Sequence, residues 1–368
     1  MSKARYVMVG GFLGAGKTTA LLRLAEKLKA AGKKVGLITN DQSVGLVDTA
    51  MLGAHDFAVE EITGGCFCCR FNSLTDAAEK LSVTERPDVF LAEPVGSCTD
   101  LAATVSYPLR RIYGDQFSIA PYSVLLDPVR AERILGLASG KSFSPKVVYI
   151  YLKQLEEADI IVVNKIDTLD TARRDALVAA LTLKFQESKI VLLSARDGTN
   201  FDAWADLIDT AEMPGGTAME VDYDIYADGE ALLGWMNATV TVASDTPFDG
   251  NAYLAKLAAE LHNSFTGTGT EVAHLKMTLS PDEGNDLAVV NLVRTDGKPE
   301  FSHSLQDLLT GGELIVNLRA EADPEDLKFV VMATLDTLQQ TTGVTATVEH
   351  AESFRPGRPV PTHRMTQA

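Results

Sequence analysis

Short, mostly apolar runs punctuate the first half of the chain, at 7–9, 35–39, 57–62, 88–92, 122–126, 160–163 and 190–193, of which 160–163 is wholly apolar. Runs without alternation predict strands buried on both faces of a parallel sheet. Helical stretches separate them. Leu21, Leu24 and Leu28 share one face of the first, and Gly32 is its stop. A second covers 73–81. Asp127-Pro128 and Ser144-Pro145 each read as an N-cap and first helical position, opening helices to 137 and to about 157. Asp170 caps another, to about 185, and 201–211 carries Trp204 and Leu207 on its apolar face. Strand–helix alternation of this kind predicts an α/β fold, a mostly parallel sheet with helices on both faces.

The pattern changes after Glu212-Met213-Pro214-Gly215-Gly216-Thr217, the clearest linker in the sequence. Residues 238–242 alternate as a half-buried strand, and 253–265 have helical period. Strands are predicted at 272–279, 287–293 and 313–318. A helix over 324–339 aligns Leu327, Val331 and Leu335, and 346–349 closes the sheet. This order predicts a smaller, ferredoxin-like α+β domain with an extra hairpin. The expected organisation is a nucleotide domain over 1–212, a linker and domain entry over 213–234, the α+β domain over 235–354, and a loose Pro- and Arg-rich tail over 355–368. Trp235 reads as a packing anchor at the second domain's entry.

Composition narrows the function classes. The chain has 368 residues, 46% hydrophobic and 23% charged, as an ordinary soluble protein does. No apolar run reaches a membrane span, and the N-terminus enters a strand at once, with no room for a signal peptide. A formal charge of -17 disfavours nucleic acid and anionic lipid as partners. Four cysteines without a disulfide framework fit a reducing cytoplasm.

The first strand runs into Gly10-Gly11-Phe12-Leu13-Gly14-Ala15-Gly16-Lys17-Thr18-Thr19. From Gly11 to Thr18 this is the phosphate-binding loop, whose backbone N–H groups cradle phosphate oxygens at a helix N-terminus. Lys17 would reach the terminal phosphates and Thr18 would ligate Mg²⁺. The 160–163 strand ends in Asn164-Lys165-Ile166-Asp167, a pattern that reads guanine: the Asp167 carboxylate would accept from the base's N1–H and amine, a donor pair adenine lacks. Ser194-Ala195 follows the next strand and offers a backbone N–H to the guanine carbonyl. GTP is therefore the expected nucleotide. Asp41 and Asp48 follow one strand and Glu93 ends another. Asp41 and Glu93, with Lys17, are the catalytic candidates, placed near Mg²⁺ or the attacking water; a solvated or structural acid is the alternative for each.

Three of the four cysteines fall in Gly64-Gly65-Cys66-Phe67-Cys68-Cys69. Packing gives no reason to crowd thiols on a glycine turn, and three nearby thiolates suit a borderline metal such as Zn²⁺ or Co²⁺. A buried turn and a redox thiol set are the alternatives. Cys98, in the loop after Glu93, is a candidate fourth ligand. His274, His303 and His350 read as structural or surface residues, with a secondary metal site as the alternative.

Together, the phosphate loop, Asn40-Asp41, the Cys66–Cys69 turn, Glu93-Pro94-Val95-Gly96, residues 154–167 and Ser194-Ala195 resemble the CobW-type metallochaperone GTPases. The likeness covers about the first 210 residues. It implies a SIMIBI-class P-loop fold and slow GTP hydrolysis, coupled to binding and handing over a divalent transition metal. Its implied partners are a client apo-metalloprotein or a cobalt-handling enzyme, with a homodimer as a candidate assembly. Metal-sensing regulation and an accessory role in a cobalamin pathway are the alternative functions. This chain departs from the family pattern in Asp41, where many members have Glu, in Cys98, and in having no histidine-rich tract.

Overall fold

The structure is a computed structural model that describes residues 3–40, 57–84, 86–284 and 286–367. Asp41 and Asp48 lie outside the described residues. The chain divides into two compact units. Among the described residues, the first takes in those up to 40, from 57 to 229 and from 358 on; the second takes in 230 to 357.

The first unit is built on strands β1 (Ala4–Gly11), β2 (Val35–Asn40), β3 (Ala58–Ile62), β4 (Val89–Glu93), β5 (Phe117–Ile119), β6 (Ser123–Leu126), β7 (Ile160–Val163) and β8 (Lys189–Leu192). They form one sheet in the order β3-β2-β4-β1-β6-β7-β8, with β5 also on β1. Every described pairing is parallel. β5 lies beside Ala4–Tyr6 and β6 beside Val9–Gly11, so two short strands share one long neighbour. The apolar runs have the expected cause. Val7, Val9, Leu37, Leu91, Leu125 and Val162 enter one core with Leu21, Leu24 and Trp204. Their alternates Met8, Ile38, Phe90, Val124 and Ile161 are buried too, because successive side chains leave opposite faces of a strand and both faces are covered.

Three elements of this unit were not legible as periodic segments. A π-helical turn over Ala102–Ser106 leads into a short helix, Tyr107–Tyr113, with Pro108 in its first turn. The strand Phe117–Ile119 has three residues, too few to show a period. The helix expected to reach 137 stops at Ile134, where Gly136 takes a positive φ of 75°.

The second unit is an antiparallel sheet of β9 (Leu233–Phe248), β10 (Glu271–Pro281), β11 (Ala288–Leu292), β12 (Glu300–His303), β13 (Leu309–Glu321) and β14 (Thr345–Phe354), in the order β12-β11-β10-β13-β9-β14. Removing the β11–β12 hairpin leaves β10-β13-β9-β14, with helices Gly250–Thr268 and Pro324–Thr342 in the crossovers. That is the expected ferredoxin-like arrangement. Leu254, Leu257, Leu261, Leu327, Val331 and Leu335 from the two helices share its core with Val240, Val242, Met277 and Val316. The long strands run well past the stretches whose alternation announces them. Trp235 is buried, with the Arg319 guanidinium 3.9 Å from its ring centroid.

Candidate nucleotide and metal site

The phosphate loop leaves the C-terminal end of β1, and the helix Lys17–Ala30 begins directly after it. Gly16 is its N-cap at φ 92°, with no side-chain cap, so the first-turn N–H groups are left for an anion. A Cβ at Gly16 would fall 2.5 Å from the Asn164 Nδ2, so the loop needs glycine for space as well as for φ. Lys17 and Thr18 are buried. Glu93, the last residue of β4, receives a hydrogen bond from the Thr18 hydroxyl at 3.2 Å and stands 3.9 Å from the Lys17 ammonium. These are hard oxygen donors side by side at the phosphate end, a set whose chemistry fits Mg²⁺. A Cβ at Gly96 would sit 3.0 Å from the Lys17 Nζ, so the loop after Glu93 packs against the same lysine.

At the base end, Asn164 holds the loops together. Its Nδ2 donates to the Ala15 carbonyl at 2.9 Å, and its Oδ1 accepts from the Ala195 N–H at 2.9 Å. Lys165, at φ 55°, donates to the Gly14 carbonyl at 2.7 Å and to Asp127 at 2.9 Å. Arg23 donates to the carbonyls of Ala195 and Arg196. Ser194 is buried, and its N–H donates to the Thr199 carbonyl at 3.0 Å. Asp167 is exposed, and its carboxylate has no hydrogen-bond partner among the described residues. Sequence reasoning found Asn164, Lys165 and Asp167 by their spacing. It missed Arg23 and read Asp127 only as a helix N-cap; both meet these loops only through the fold. It also expected a backbone N–H at Ser194-Ala195 for the base, and the Ala195 N–H is already engaged by Asn164.

The thiol turn is fixed from β2. Asn40, the last residue of that strand, donates from Nδ2 to the carbonyls of Ile62 at 3.0 Å and Gly65 at 2.7 Å. Its Oδ1 accepts the Phe67 N–H at 2.8 Å. The Cys66 carbonyl then accepts from the N–H groups of Cys69 and Arg70, closing a helical turn into Phe71–Thr84. The three sulfurs come within 4.8 Å of one another. Cys66 lies 2.8 Å from Cys68 and 3.2 Å from Cys69, and Cys68 lies 3.7 Å from Cys69. Thiolates on a tetrahedral Zn²⁺ at ~2.3 Å stand roughly 3.8 Å apart, so a small outward movement of Cys66 opens the set to an ion.

Electrostatics points the same way. Hydrogen bonds from Cys68, Cys69 and Cys98 hold the Cys66 thiol well below its ordinary range. Cys68 is pushed well above it, first by its hydrogen bond with Cys66 and then by Cys69 and burial. Cys69 is pushed up to about 11, mainly by Cys66. Cys66 is thus the thiol of the metal-free cluster that gives up its proton most readily, while its neighbours hold theirs, because adjacent thiolates repel. Cys98 is buried and interacts with Cys66, but it is not among the three sulfurs grouped within 4.8 Å. Its carbonyl and that of Gly96 both accept from the Gln154 Nε2, at 2.8 and 2.9 Å. Among the described residues no histidine joins a metal-ligating group; His274 instead meets Asn291 at 3.3 Å.

The model of the CobW/HypB/UreG nucleotide-binding domain matches residues 5–192, just over half of the chain. The chain belongs to this family. Among relatives of this CobW-type chain, the zinc chaperone YeiR of Escherichia coli (strain K12) is 30% identical over 177 residues, covering 46% of this chain and 49% of that protein. The zinc chaperone CobW of Sinorhizobium sp is 26% identical over 210 residues, 52% of this chain and 58% of that protein. The zinc chaperone YjiA of Escherichia coli (strain K12) is 32% identical over 104 residues, 28% of this chain and 32% of that protein. Each match thus spans less than two thirds of the relative's own length. The family match takes in the phosphate loop, the thiol turn, Glu93 and Asn164 to Asp167, and it ends before Ser194 and the second unit.

Proposed function

We propose that this CobW-type chain is a GTP-hydrolysing metallochaperone. It takes a divalent transition metal, Zn²⁺ or Co²⁺, on Cys66, Cys68 and Cys69, and passes it to a client apo-metalloprotein according to its nucleotide state. One relationship carries the reading. Thr39 pairs with Glu93 across β2 and β4, and the next residue, Asn40, holds the thiol turn. The carboxylate at the phosphate end and the thiols are therefore fastened to neighbouring positions of one sheet edge. The zinc-chaperone relatives favour Zn²⁺ as the first metal to test, and three thiolates accept Co²⁺ as well.

In this reading Lys17 and the loop N–H groups bind the terminal phosphates, and Asp167 selects guanine. Thr18 and Glu93, with Asp41, would hold Mg²⁺, which supplies charge neutralisation at the phosphates. Glu93 and Asp41 orient the attacking water. Cys66 carries the first negative charge that draws the metal cargo, and Cys68 and Cys69 lose their protons as it binds. No described helix is long and apolar enough to cross a membrane, and the proposed setting is the cytoplasm.

Competition for Zn²⁺ against a chromophoric chelator, with GDP and then with a non-hydrolysable GTP analogue, tests the coupling. A tenfold difference in affinity requires only about 1.4 kcal/mol of differential stabilisation. Equal affinities in the two nucleotide states would refute it. Purified full-length protein mixed with an apo-enzyme client then separates delivery from sensing: a sensor retains its metal on hydrolysis.

A further inference from the structure

The tail expected to be loose is instead ordered against the thiol turn. It begins at Arg358, which is ion-paired with Asp224 at 2.6 Å. Arg358-Pro359-Val360-Pro361-Thr362 then places prolines at alternate positions. Proline has no N–H and favours extended backbone before and at itself. Between 359 and 362 the only backbone donors are therefore Val360 and Thr362, and both are spent on the cysteines. The Val360 N–H donates to the Cys69 Sγ at 3.3 Å, and the Thr362 N–H donates to the Cys68 carbonyl at 2.8 Å. The Thr362 hydroxyl donates to the Cys69 carbonyl at 3.1 Å. His363 packs edge-on against Phe71, the residue that opens the helix after the turn, at 5.0 Å between centroids.

The next residue anchors the segment. The Arg364 Nε donates to the Asp100 Oδ2 at 2.7 Å, and its Nη2 donates to the Met219 carbonyl at 2.9 Å. Asp100 is only 1% exposed, at φ 65°, and also accepts from the Tyr223 hydroxyl at 2.6 Å. Asp100 belongs to the loop that starts at Glu93 and carries Cys98. The Met365 N–H continues the contact on the Ala103 carbonyl at 2.9 Å. One end of the strap thus grips the outermost sulfur, and the other is held by the loop that leaves the phosphate end.

We propose that residues 358–365 form the outer wall of the thiol site, with the Val360 N–H as a hydrogen-bond donor to the Cys69 sulfur and Arg364 as the positioning residue that holds the wall closed through Asp100. An N–H donor to a metal-bound thiolate stabilises its charge, and such outer partners commonly govern metal affinity by about 10–100-fold. The wall also covers the least buried of the three sulfurs, where an incoming chelator or client thiol would attack. Its attachment to Asp100 gives movement of the loop after Glu93 a direct route to metal exchange. This proposal rests on the reading of the turn as a metal site, but the wall itself can be tested without metal.

Two full-length variants separate donor from anchor. Val360→Pro deletes the N–H; the residue is 70% exposed, so little packing is lost. Arg364→Ala releases the anchor, and Arg364→Lys restores the charge without the planar fork. GDP affinity within about twofold of wild type certifies the fold. In metal-free protein, per-cysteine alkylation by iodoacetamide, read by mass spectrometry, is expected to be at least about threefold faster at Cys69 in Arg364→Ala, which opens the wall, and no faster than in wild type in Val360→Pro, which removes the N–H that favours the Cys69 thiolate. Cys66, Cys68 and Cys98 should keep their rates, and Arg364→Lys should fall between. Chelator competition is expected to show about tenfold weaker Zn²⁺ binding in the first two variants. An unchanged Cys69 rate in Arg364→Ala would overturn the proposal. A wild-type chain that binds no Zn²⁺ through these thiols would instead refute the metallochaperone reading, while the alkylation rates still decide whether the wall exists.

Discussion

Asn40 and Phe67 are joined by a 2.8 Å hydrogen bond from the Phe67 amide to the Asn40 side-chain oxygen. They are 27 residues apart in sequence, and the bond fastens the middle of the thiol turn to the end of β2, the strand next to the sheet's edge strand. Asn40 also serves Ile62 and Gly65, so one buried side chain satisfies three backbone groups.

Replacing it should therefore disturb the metal site before the nucleotide site. Asn40→Ala leaves three polar backbone groups without their partner, at about 1–3 kcal/mol for each that stays buried and unsatisfied. The expected outcome is a lower melting temperature and at least about tenfold weaker Zn²⁺ binding, with GDP affinity nearly unchanged. Asn40→Asp, which keeps the acceptor for Phe67 and loses both donors, should lie between. Thermal denaturation and chelator competition read both effects.

Asp167 should decide the base. Its exposed carboxylate is available to the two guanine donors, and each hydrogen bond to a charged group contributes about 1.5–3 kcal/mol. Asp167→Ala is expected to weaken GDP binding by at least about a hundredfold and to leave the weak ADP binding where it was. Fluorescent-nucleotide displacement measures both. Equal losses for the two nucleotides would mean that Asp167 does not read the base.

Metal binding should release protons. With Cys68 and Cys69 pushed up, both hold their protons in the metal-free cluster at neutral pH, and Cys66, held below its ordinary range, is the first to give up its own. Three thiolate ligands then require at least about two protons to leave per Zn²⁺ bound. Calorimetry in buffers of different ionisation enthalpy gives this number directly. A value near zero would show that the cysteines do not bind the metal, and a value near three would show that Cys66 is protonated.

Glu157 should give the fold a pH dependence. Its carboxyl is buried, accepts from the Thr99 hydroxyl and the Ala102 N–H, and is pushed up by desolvation to about 8 from an ordinary 4.5. Between those values the folded group keeps its proton and the unfolded one has lost it. The folded state then binds more protons than the unfolded state, so stability falls as pH rises through this window, by at most about 1.4 kcal/mol per pH unit. Glu157→Gln can make both hydrogen bonds without a charge. Its denaturation midpoint should fall less between about pH 5 and pH 8 than that of wild type. Parallel pH profiles would mean that Glu157 is ionised in the folded protein.

The motifs were legible because each packs its chemistry into a few consecutive residues. The phosphate loop, Asn164 to Asp167 and Cys66 to Cys69 act through spacing that local backbone geometry fixes, and the family match spans all three stretches. The parallel sheet was legible because strands buried on both faces must be apolar throughout. Tyr107–Tyr113 and Phe117–Ile119 were not, since a short helix with proline in its first turn and a three-residue strand carry no readable period.

By itself the sequence determined which atoms are present for phosphate, base and metal, and the order of strands and helices that carries them. Only the tertiary structure decided what those atoms meet. Cys98 follows Cys69 by 29 positions and comes to lie beside Cys66. Arg364 is 264 residues from Asp100 and closes an ion pair with it. Val360, 291 positions from Cys69, gives its N–H to that sulfur. No local pattern encodes such pairs, because they depend on how strands and loops far apart in sequence are brought to one edge of a sheet. A Pro- and Arg-rich tail reads as loose until the backbone groups it leaves to donate are seen to have partners.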